Sequence, residues 1–193
     1  DRYGLRGVNL TSSKTQAAVD TLPVISSLPC SGDASLYIAQ DGTVGVACKD
    51  GVCVFTPMEA QMGLQLPSGD LVCHDIKTTM HTMDTLGIPH GKFVFDTALA
   101  AYNLNPSQLD YPVSKLATNF LGISVDDGDA GACAEALWHL RGVLTEELTK
   151  AGMLDLYQTI ELPLCPVLYS MEKAGVAIDR KQLEEFGQML SER

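Results

Sequence analysis

The chain has 193 residues, of which 46% are hydrophobic and 19% are charged. This length and balance predict one compact domain plus a tail, and they exclude a disordered or low-complexity segment. Acidic side chains outnumber basic ones by 24 to 13, giving a net charge of −11. Binding to DNA or RNA draws most of its affinity from lysine and arginine. We therefore expect any nucleic-acid contact of this chain alone to be weak or absent.

Features of membrane and secreted proteins are missing from the sequence. No apolar run reaches the roughly 18 residues that a membrane-spanning helix needs, and the first residues lack a signal-peptide pattern. The six cysteines contain no CxxC pair, and the four histidines do not fall at zinc-ligand spacings from them. We expect a cytoplasmic chain with no membrane partner, whose cysteines are mostly buried free thiols.

The first half of the chain predicts a sheet. Residues 1–33 contain turn-forming and polar residues without sustained periodicity, which predicts a linker. Three short β-rich runs then follow at 35–39, 43–48 and 52–55, separated by Asp-Gly turns that predict hairpins. Runs at 70–73 and 93–95 predict two more strands. Each of these leads into a helix, with Asp75 and Asp96 as the expected N-caps.

The second half predicts helices. Apolar stripes predict a short helix within 112–120, a longer one over 133–148 and a third over 157–171. A last amphipathic helix begins at Asp179, with Gln182 three positions later. The seven methionines are expected to fill the core, because several of them coincide with such stripes. This element order is that of an α/β, RNase H-like fold: a mixed sheet flanked by helices, with a helical C-terminal half.

Several segments resemble the family A DNA polymerases, the family of bacterial DNA polymerase I. HDIKTT at 74–79 and VFDTALAAYNLNP at 94–106 are similar to the family's 3′ to 5′ exonuclease region, a DEDD-type exonuclease domain. IELPLCPVL at 160–168 is similar to the helix that joins this region to the polymerase thumb. YGLR at 3–6 resembles the junction after the 5′ nuclease domain. The resemblance is strongest at 71–122 and 153–190.

The resemblance implies an exonuclease site that has lost its acids. The family's nuclease uses clustered carboxylates that hold two divalent ions. Its first motif, Asp-x-Glu, falls on Ala39 and Asp41. Its second, Asn-x-Lys-x-Asp, falls on residues 75–79 and places Thr79 at the metal-binding acid. Its third, Tyr-x-x-x-Asp, falls on residues 129–133 and ends at Cys133. The resemblance therefore implies no catalytic or metal-binding residue in this chain.

The same resemblance suggests a division of the chain and a role. Residues 1–33 would be the linker after a 5′ nuclease domain, residues 34–152 an exonuclease-like domain, and residues 153–193 the helices leading into a polymerase domain. The implied role is a catalytically inactive scaffold for the DNA-directed DNA polymerase of the same polypeptide. That parent would contact DNA and use Mg²⁺ through residues outside this chain, while the fragment itself would need no cofactor.

Two alternatives remain open from the sequence. In the first, Asp41, Asp75 and one acid of the run Asp126, Asp127 and Asp129 form a relocated metal site of a residual 3′ to 5′ exonuclease. In the second, the helix at 179–193 docks on a protein partner. The acidic run is expected to be solvated and to favour the following helix. His74 is expected to be structural rather than a general base, and Lys77 a solvated surface residue.

Overall fold

The computed structural model describes residues 20–191. Within them the strands are β1 (Ala34–Ile38), β2 (Val44–Cys48), β3 (Gly51–Phe55), β4 (Asp70–Cys73) and β5 (Lys92–Asp96). The α-helices are α1 (Pro57–Gln61), α2 (Ile76–Leu86), α3 (Thr97–Leu104), α4 (Val113–Leu116), α5 (Ala130–Lys150), α6 (Leu154–Leu156), α7 (Leu162–Ala174) and α8 (Arg180–Ser191). Two π-helical turns, Ala117–Leu121 and Tyr157–Glu161, follow α4 and α6.

The five strands form one mixed sheet in the order β3-β2-β1-β4-β5. β1 pairs with β2 and β2 with β3 in antiparallel register, so that Leu36 lies opposite Val46. β1 pairs with β4 and β4 with β5 in parallel register. The predicted α/β architecture with a helical second half is confirmed. Because β1, β4 and β5 are parallel, their carboxyl ends meet at one edge of the sheet.

Helix starts are fixed by the predicted acidic caps. The Asp75 carboxylate accepts a hydrogen bond from the Thr78 amide (3.1 Å) and caps α2, while Asp96 caps α3. The short helix α1 was not predicted. Its start carries a capping box in which Thr56 and Glu59 exchange hydrogen bonds, a signal that the sequence contains.

Helix α5 packs across the sheet and forms most of the core. Its buried face includes Leu137, Leu140, Leu144 and Leu148, each fully buried. The Ser35 hydroxyl of β1 lies 2.6 Å from a carbonyl oxygen of α5, which fixes the helix on the strand. This buried leucine stripe is the helical stripe that the sequence predicted.

Part of the predicted linker contacts the sheet. Val24 forms an isolated parallel bridge with Val52, and the Ile25 amide donates to the Val52 carbonyl (2.9 Å). The Leu22 amide donates to a Glu135 carboxylate oxygen (2.5 Å). Residues 22–25, Leu-Pro-Val-Ile, therefore cover the outer edge of β3, a role that the linker prediction missed. The remainder of the predicted linker, residues 1–19, lies outside the described residues.

The methionine and cysteine predictions hold in part. Met80 and Met83 are buried as expected, whereas four other methionines are more than half exposed, namely Met58, Met62, Met171 and Met189. The core prediction was wrong for these four because their helices turn them away from the sheet.

All six cysteines are free; four are buried, Cys165 is half-buried and Cys30 is exposed. No helix within residues 20–191 is long and apolar enough to cross a membrane.

Candidate functional site

A groove of about 470 Å³ lies where the carboxyl ends of β1 and β4 meet the start of α2. One wall comes from Tyr37 and Ile38 of β1, and the other from His74 and Asp75 after β4. The remaining lining residues are Thr78, Thr79, Thr82, Ala98, Asp110, Tyr111 and Pro112. Ligand sites of α/β sheets commonly lie outside the carboxyl ends of strands. The groove is therefore the candidate site of this fold.

Thr79, the residue predicted to replace a metal-binding acid, lies in this groove. It is 8% exposed, and its hydroxyl donates a hydrogen bond to the His74 carbonyl one turn earlier (3.2 Å). A neutral hydroxyl engaged in this way offers a divalent ion none of the charge of a carboxylate. The neighbouring Asp75 carboxylate accepts from both the amide and the hydroxyl of Thr78.

The residues assigned to the first and third motifs lie elsewhere. Ala39 is buried just after β1, and Asp41 lies in the β1–β2 hairpin, where its carboxylate accepts from the amide and hydroxyl of Thr43 (both 2.9 Å). Neither residue lines the groove. Cys133 is fully buried on α5, with its sulfur 3.4 Å from the Asp126 carbonyl oxygen. Burial, aided by nearby Asp127, raises the pKa of this thiol to about 12, so it stays neutral.

The three carboxylates of the acidic run, Asp126, Asp127 and Asp129, accept hydrogen bonds from backbone amides. Asp126 accepts from the Gly128 amide, and Asp129 caps α5 by accepting from the Ala132 amide (2.9 Å). Asp127 accepts from the amide and the hydroxyl of Ser114 (3.0 and 2.5 Å). Asp127 thus ties the loop before α5 to the start of α4, a contact between distant residues that the solvated-run prediction missed.

The relocated metal site of the alternative hypothesis is not assembled in the part of the chain that the structure describes. Between residues 20 and 191, no three or more histidine, cysteine, aspartate or glutamate side chains are placed to hold one metal ion. Asp41 and Asp75 are each engaged in a turn or a cap. The residues present at the groove therefore do not fit a two-metal centre.

Two polar side chains, Asp96 and His74, hold the elements around the groove by hydrogen bonds. The Asp96 carboxylate is 3% exposed and accepts from four backbone amides, which begin α2 and α3: Asp75, Ile76, Ala98 and Leu99. Asp96 was predicted to cap one helix; it joins the starts of two. Burial raises the pKa of Asp96, while these amides oppose the rise.

His74 Nδ1 lies 2.8 Å from the Thr97 hydroxyl, and burial lowers the pKa of its ring. A neutral, structurally engaged His74 agrees with the sequence prediction.

Two groove residues were missed by the sequence reasoning, the tyrosines Tyr37 and Tyr111. The Tyr37 hydroxyl donates to the Asp127 carbonyl (3.0 Å), and burial raises its pKa to about 12. The Tyr111 hydroxyl donates to the Asn105 carbonyl (2.6 Å). The alternation of the β1 strand was the available signal for Tyr37, whereas Tyr111 lies in an irregular loop that carries no comparable signal.

A second feature is the polar contact between α2 and α7. Tyr169 of α7 is 6% exposed, lies between the rings of His81 and His90 (centroids 4.8 and 5.4 Å away) and donates to the Asp84 carboxylate. Lys173 donates to the same carboxylate (2.7 Å). These bonds hold the pKa of Asp84 at about 2, the largest contribution coming from Lys173.

Glu172 makes the second half of this contact. Its carboxylate accepts from Lys77 (2.8 Å) and lies 3.0 Å from His81 Nε2. Lys77 is a surface residue as predicted, but α7 brings to it a carboxylate that the sequence did not indicate. The cluster fixes one face of α7 on α2.

The opposite face of α7 is apolar and uncovered. We call this surface the α7 apolar face; its members are 39–62% exposed and are Ile160, Leu164, Val167, Leu168 and Met171. Four of these formed the third predicted stripe, together with fully buried Tyr157. The helical pattern was right, but only Tyr157 enters the core, and Tyr169 rather than the stripe attaches α7 to α2. On α8, Leu183, Phe186 and Leu190 are also more than half exposed.

Two curated relatives of this chain are DNA polymerase I enzymes. The chain is 28% identical to DNA polymerase I of Chloroflexus aurantiacus and 30% identical to DNA polymerase I of Mycobacterium leprae, over 82% of its own length in each case. It spans about a fifth of the length of these relatives, 21% and 20% respectively. No protein-family model matches the chain.

Solved structures share the fold. The Pol1 POL-domain structure from M. smegmatis, in complex with DNA primer-template and dNTP, superposes with a TM-score of 0.68 at 24% identity, over 82% of this chain and 31% of that one. Brucella melitensis NrnC bound to pGG gives 0.60 at 12% identity, over 79% of this chain and 91% of that one. The apo form of a nuclease superposes with a TM-score of 0.59 at 14% identity, over 76% of this chain and 86% of that one. The solved structures share the fold, and the sequence matches show that the chain is similar to DNA polymerase I over about a fifth of that enzyme's length.

Proposed function

We propose that this chain is a catalytically inactive 3′ to 5′ exonuclease-like domain that serves as a scaffold for the polymerase domain of a DNA polymerase I. The observation that carries the proposal is Thr79, a neutral side chain in the groove at the place of a metal-binding acid. The curated relatives supply the polymerase context. The parent would act in DNA replication and repair in the cytoplasm, with Mg²⁺ serving its polymerase site.

Chemistry at the groove supports inactivity. Phosphodiester hydrolysis by two metals needs carboxylates to hold the ions and neutralise the developing charge. The groove contributes two carboxylates, Asp75 and Asp110, and both are engaged: Asp75 with Thr78, and Asp110 with Lys115 (2.5 Å). Neither carboxylate is therefore free to hold such an ion, which supports the proposal of an inactive site.

The two faces of α7 support the scaffold role. One face is fixed to α2 by Tyr169, Glu172 and Lys173, so the helix has a defined direction. The α7 apolar face points away from the described core and is exposed. Contiguous exposed apolar surface commonly marks a protein contact. We infer that the polymerase domain of the same polypeptide packs on this face.

Metal binding tests the inactive site. We expect Mn²⁺ at millimolar concentration to broaden no specific set of backbone resonances around the groove. Localised broadening at Asp75 and Thr79 that disappears in Asp75→Ala would contradict the proposal and support the residual nuclease.

Limited proteolysis of the parent polypeptide tests the scaffold. Leu164→Asp and Met171→Asp should speed cleavage between the exonuclease-like and polymerase domains, because each places a charge on the α7 apolar face. Met58→Asp, on exposed α1, is the matched control and should leave the cleavage rate unchanged. Equal protection in all three variants would contradict a contact at this face.

A further inference from the structure

A second cavity, of about 420 Å³, lies between α3, the π-helical turn Ala117–Leu121 and the C-terminal end of α5. The buried side chains Ala101 and Leu116 form its apolar base. Tyr111 and Phe120 contribute aromatic rings to the lining. This volume falls within the range of pockets that bind small molecules.

Three of the six polar side chains that line this pocket are amides. Asn105, Gln108 and Asn119 are among its lining residues. Within the described residues, the Asn119 side chain has no hydrogen-bond partner, and it offers both a donor and an acceptor. An amide that presents both groups in one plane is suited to the edge of a heteroaromatic base.

The backbone at the pocket includes the π-helical turn Ala117–Leu121. Asn119 and Phe120 are consecutive residues of a π-helical turn, and both line the pocket. Such turns make up well under 1% of residues in soluble proteins and occur frequently at functional sites. The π-helical turn therefore places an amide and an aromatic ring side by side on one cavity.

Charge restricts the ligand. Lys150 is the one cation among the lining residues, and its ammonium is already bonded to Glu147 (3.0 Å). The whole chain carries a net charge of −11. A ligand with phosphate groups would meet this negative charge without a free cation to neutralise it.

We propose that this pocket binds the base of an uncharged nucleoside, with the ring between aromatic and apolar side chains and its edge toward Asn119. Stacking on aromatic side chains accepts any base, and the amide adds a preference by hydrogen bonding. Tyr111 lines both this pocket and the groove at the end of β4. The Tyr111 side chain therefore lies between the bound base and that groove. The proposal stands independently of the scaffold role.

Backbone NMR titration of the 193-residue chain tests the proposal. Adenosine should cause saturable shifts confined to Tyr111, Asn119, Phe120 and their neighbours, with a Kd on the order of 1 mM or tighter. Adenosine monophosphate should bind more weakly because of the charge.

Variants localise the site. Asn119→Ala, at an exposed position that leaves the core intact, should weaken adenosine binding about fivefold to tenfold. Phe120→Leu should weaken it by a similar factor, because it keeps apolar volume and removes the ring. Gln61→Ala, an exposed amide on α1, should leave binding unchanged.

Three outcomes would overturn the proposal. They are the absence of saturable shifts at about 10 mM adenosine, wild-type affinity in Asn119→Ala, and binding of phenylalanine as tight as that of adenosine. The last result would reveal an aromatic pocket that does not recognise a base. None of these results bears on metal binding at the groove or on the α7 apolar face.

Discussion

The hydroxyl of Thr79 donates a hydrogen bond to the backbone carbonyl of His74 at 3.2 Å, within the groove at the carboxyl ends of β1 and β4. This bond keeps the side chain on its own helix. The neutral hydroxyl brings to this position no charge with which to hold a divalent ion.

Gly45 allows β2 to approach α5. A Cβ atom at Gly45 would lie 1.9 Å from the Ala130 carbonyl oxygen, a distance that forces the helix off the sheet. Gly45→Ala should lower the free energy of unfolding by about 3 kcal/mol or more. Gly142→Ala, in an exposed part of α5 with open space around the position, should raise it by about 0.5–1 kcal/mol. Urea denaturation of both variants measures the two signs; destabilisation by both would contradict the packing argument.

Asp96→Asn should lower the free energy of unfolding, because Asp96 joins the starts of α2 and α3 beside the groove. The substitution replaces the oxygen that accepts from the Ile76 amide (2.7 Å) by a donor, leaving two donors face to face in a buried site. We expect a loss of about 2–4 kcal/mol in the free energy of unfolding. Asp50→Asn, in an exposed turn, is the control and should change nothing. A stability within experimental error of wild type would show that Asp96 does not join the two helices.

Tyr157→Phe isolates a single hydroxyl. The Tyr157 oxygen accepts from the Asp96 amide (2.7 Å) and donates to the Asp96 carbonyl (3.1 Å) in a fully buried position. Its removal leaves both backbone groups unsatisfied and should cost about 1–3 kcal/mol. Hydrogen exchange should accelerate at the Asp96 amide in particular, whereas Tyr102→Phe, half exposed on α3, should leave that amide protected.

The α2–α7 contact should respond to acid. The pKa of Asp84 is lowered from its ordinary 3.8 to about 2 by Lys173 and Tyr169, so its stabilising effect is present above pH 3.8 and is lost as the pH falls toward about 2. Asp84→Asn should be less stable than wild type at neutral pH, and this difference should shrink across that window. A difference that is constant from pH 6 to about 2 would mean that Asp84 is not engaged as its bonds indicate.

Local rules predicted much of the fold. Turn residues, the caps Asp75 and Asp96 and the leucine stripe of α5 gave elements in the right order, because each depends on neighbours in sequence. The four exposed methionines were assigned wrongly and the Glu172 partner of Lys77 was not predicted, since both depend on how helices pack. The second helix that Asp96 joins is 20 residues earlier in the chain, and no local pattern reveals it.

The candidate site was predictable only as far as the resemblance reached. Thr79 lies among the lining residues of the groove, close to the end of β4 and to the Asp75 cap, but its match to a metal-binding position stays a prediction. Tyr37 and Tyr111 were missed, and Ala39 and Asp41 lie outside the groove lining, because the shape of the groove depends on the loop that carries Tyr111 and on the twist of β1.

A single-turnover exonuclease assay tests the central claim most directly. Excess protein is mixed with a 3′-labelled single-stranded oligonucleotide and Mg²⁺ or Mn²⁺, beside Asp75→Ala as a control. We predict no release of the terminal nucleotide by either protein, because the groove lacks carboxylates free to hold the ions. Metal-dependent release by the wild type that is lost in Asp75→Ala would contradict the account and show that the domain still works as a nuclease.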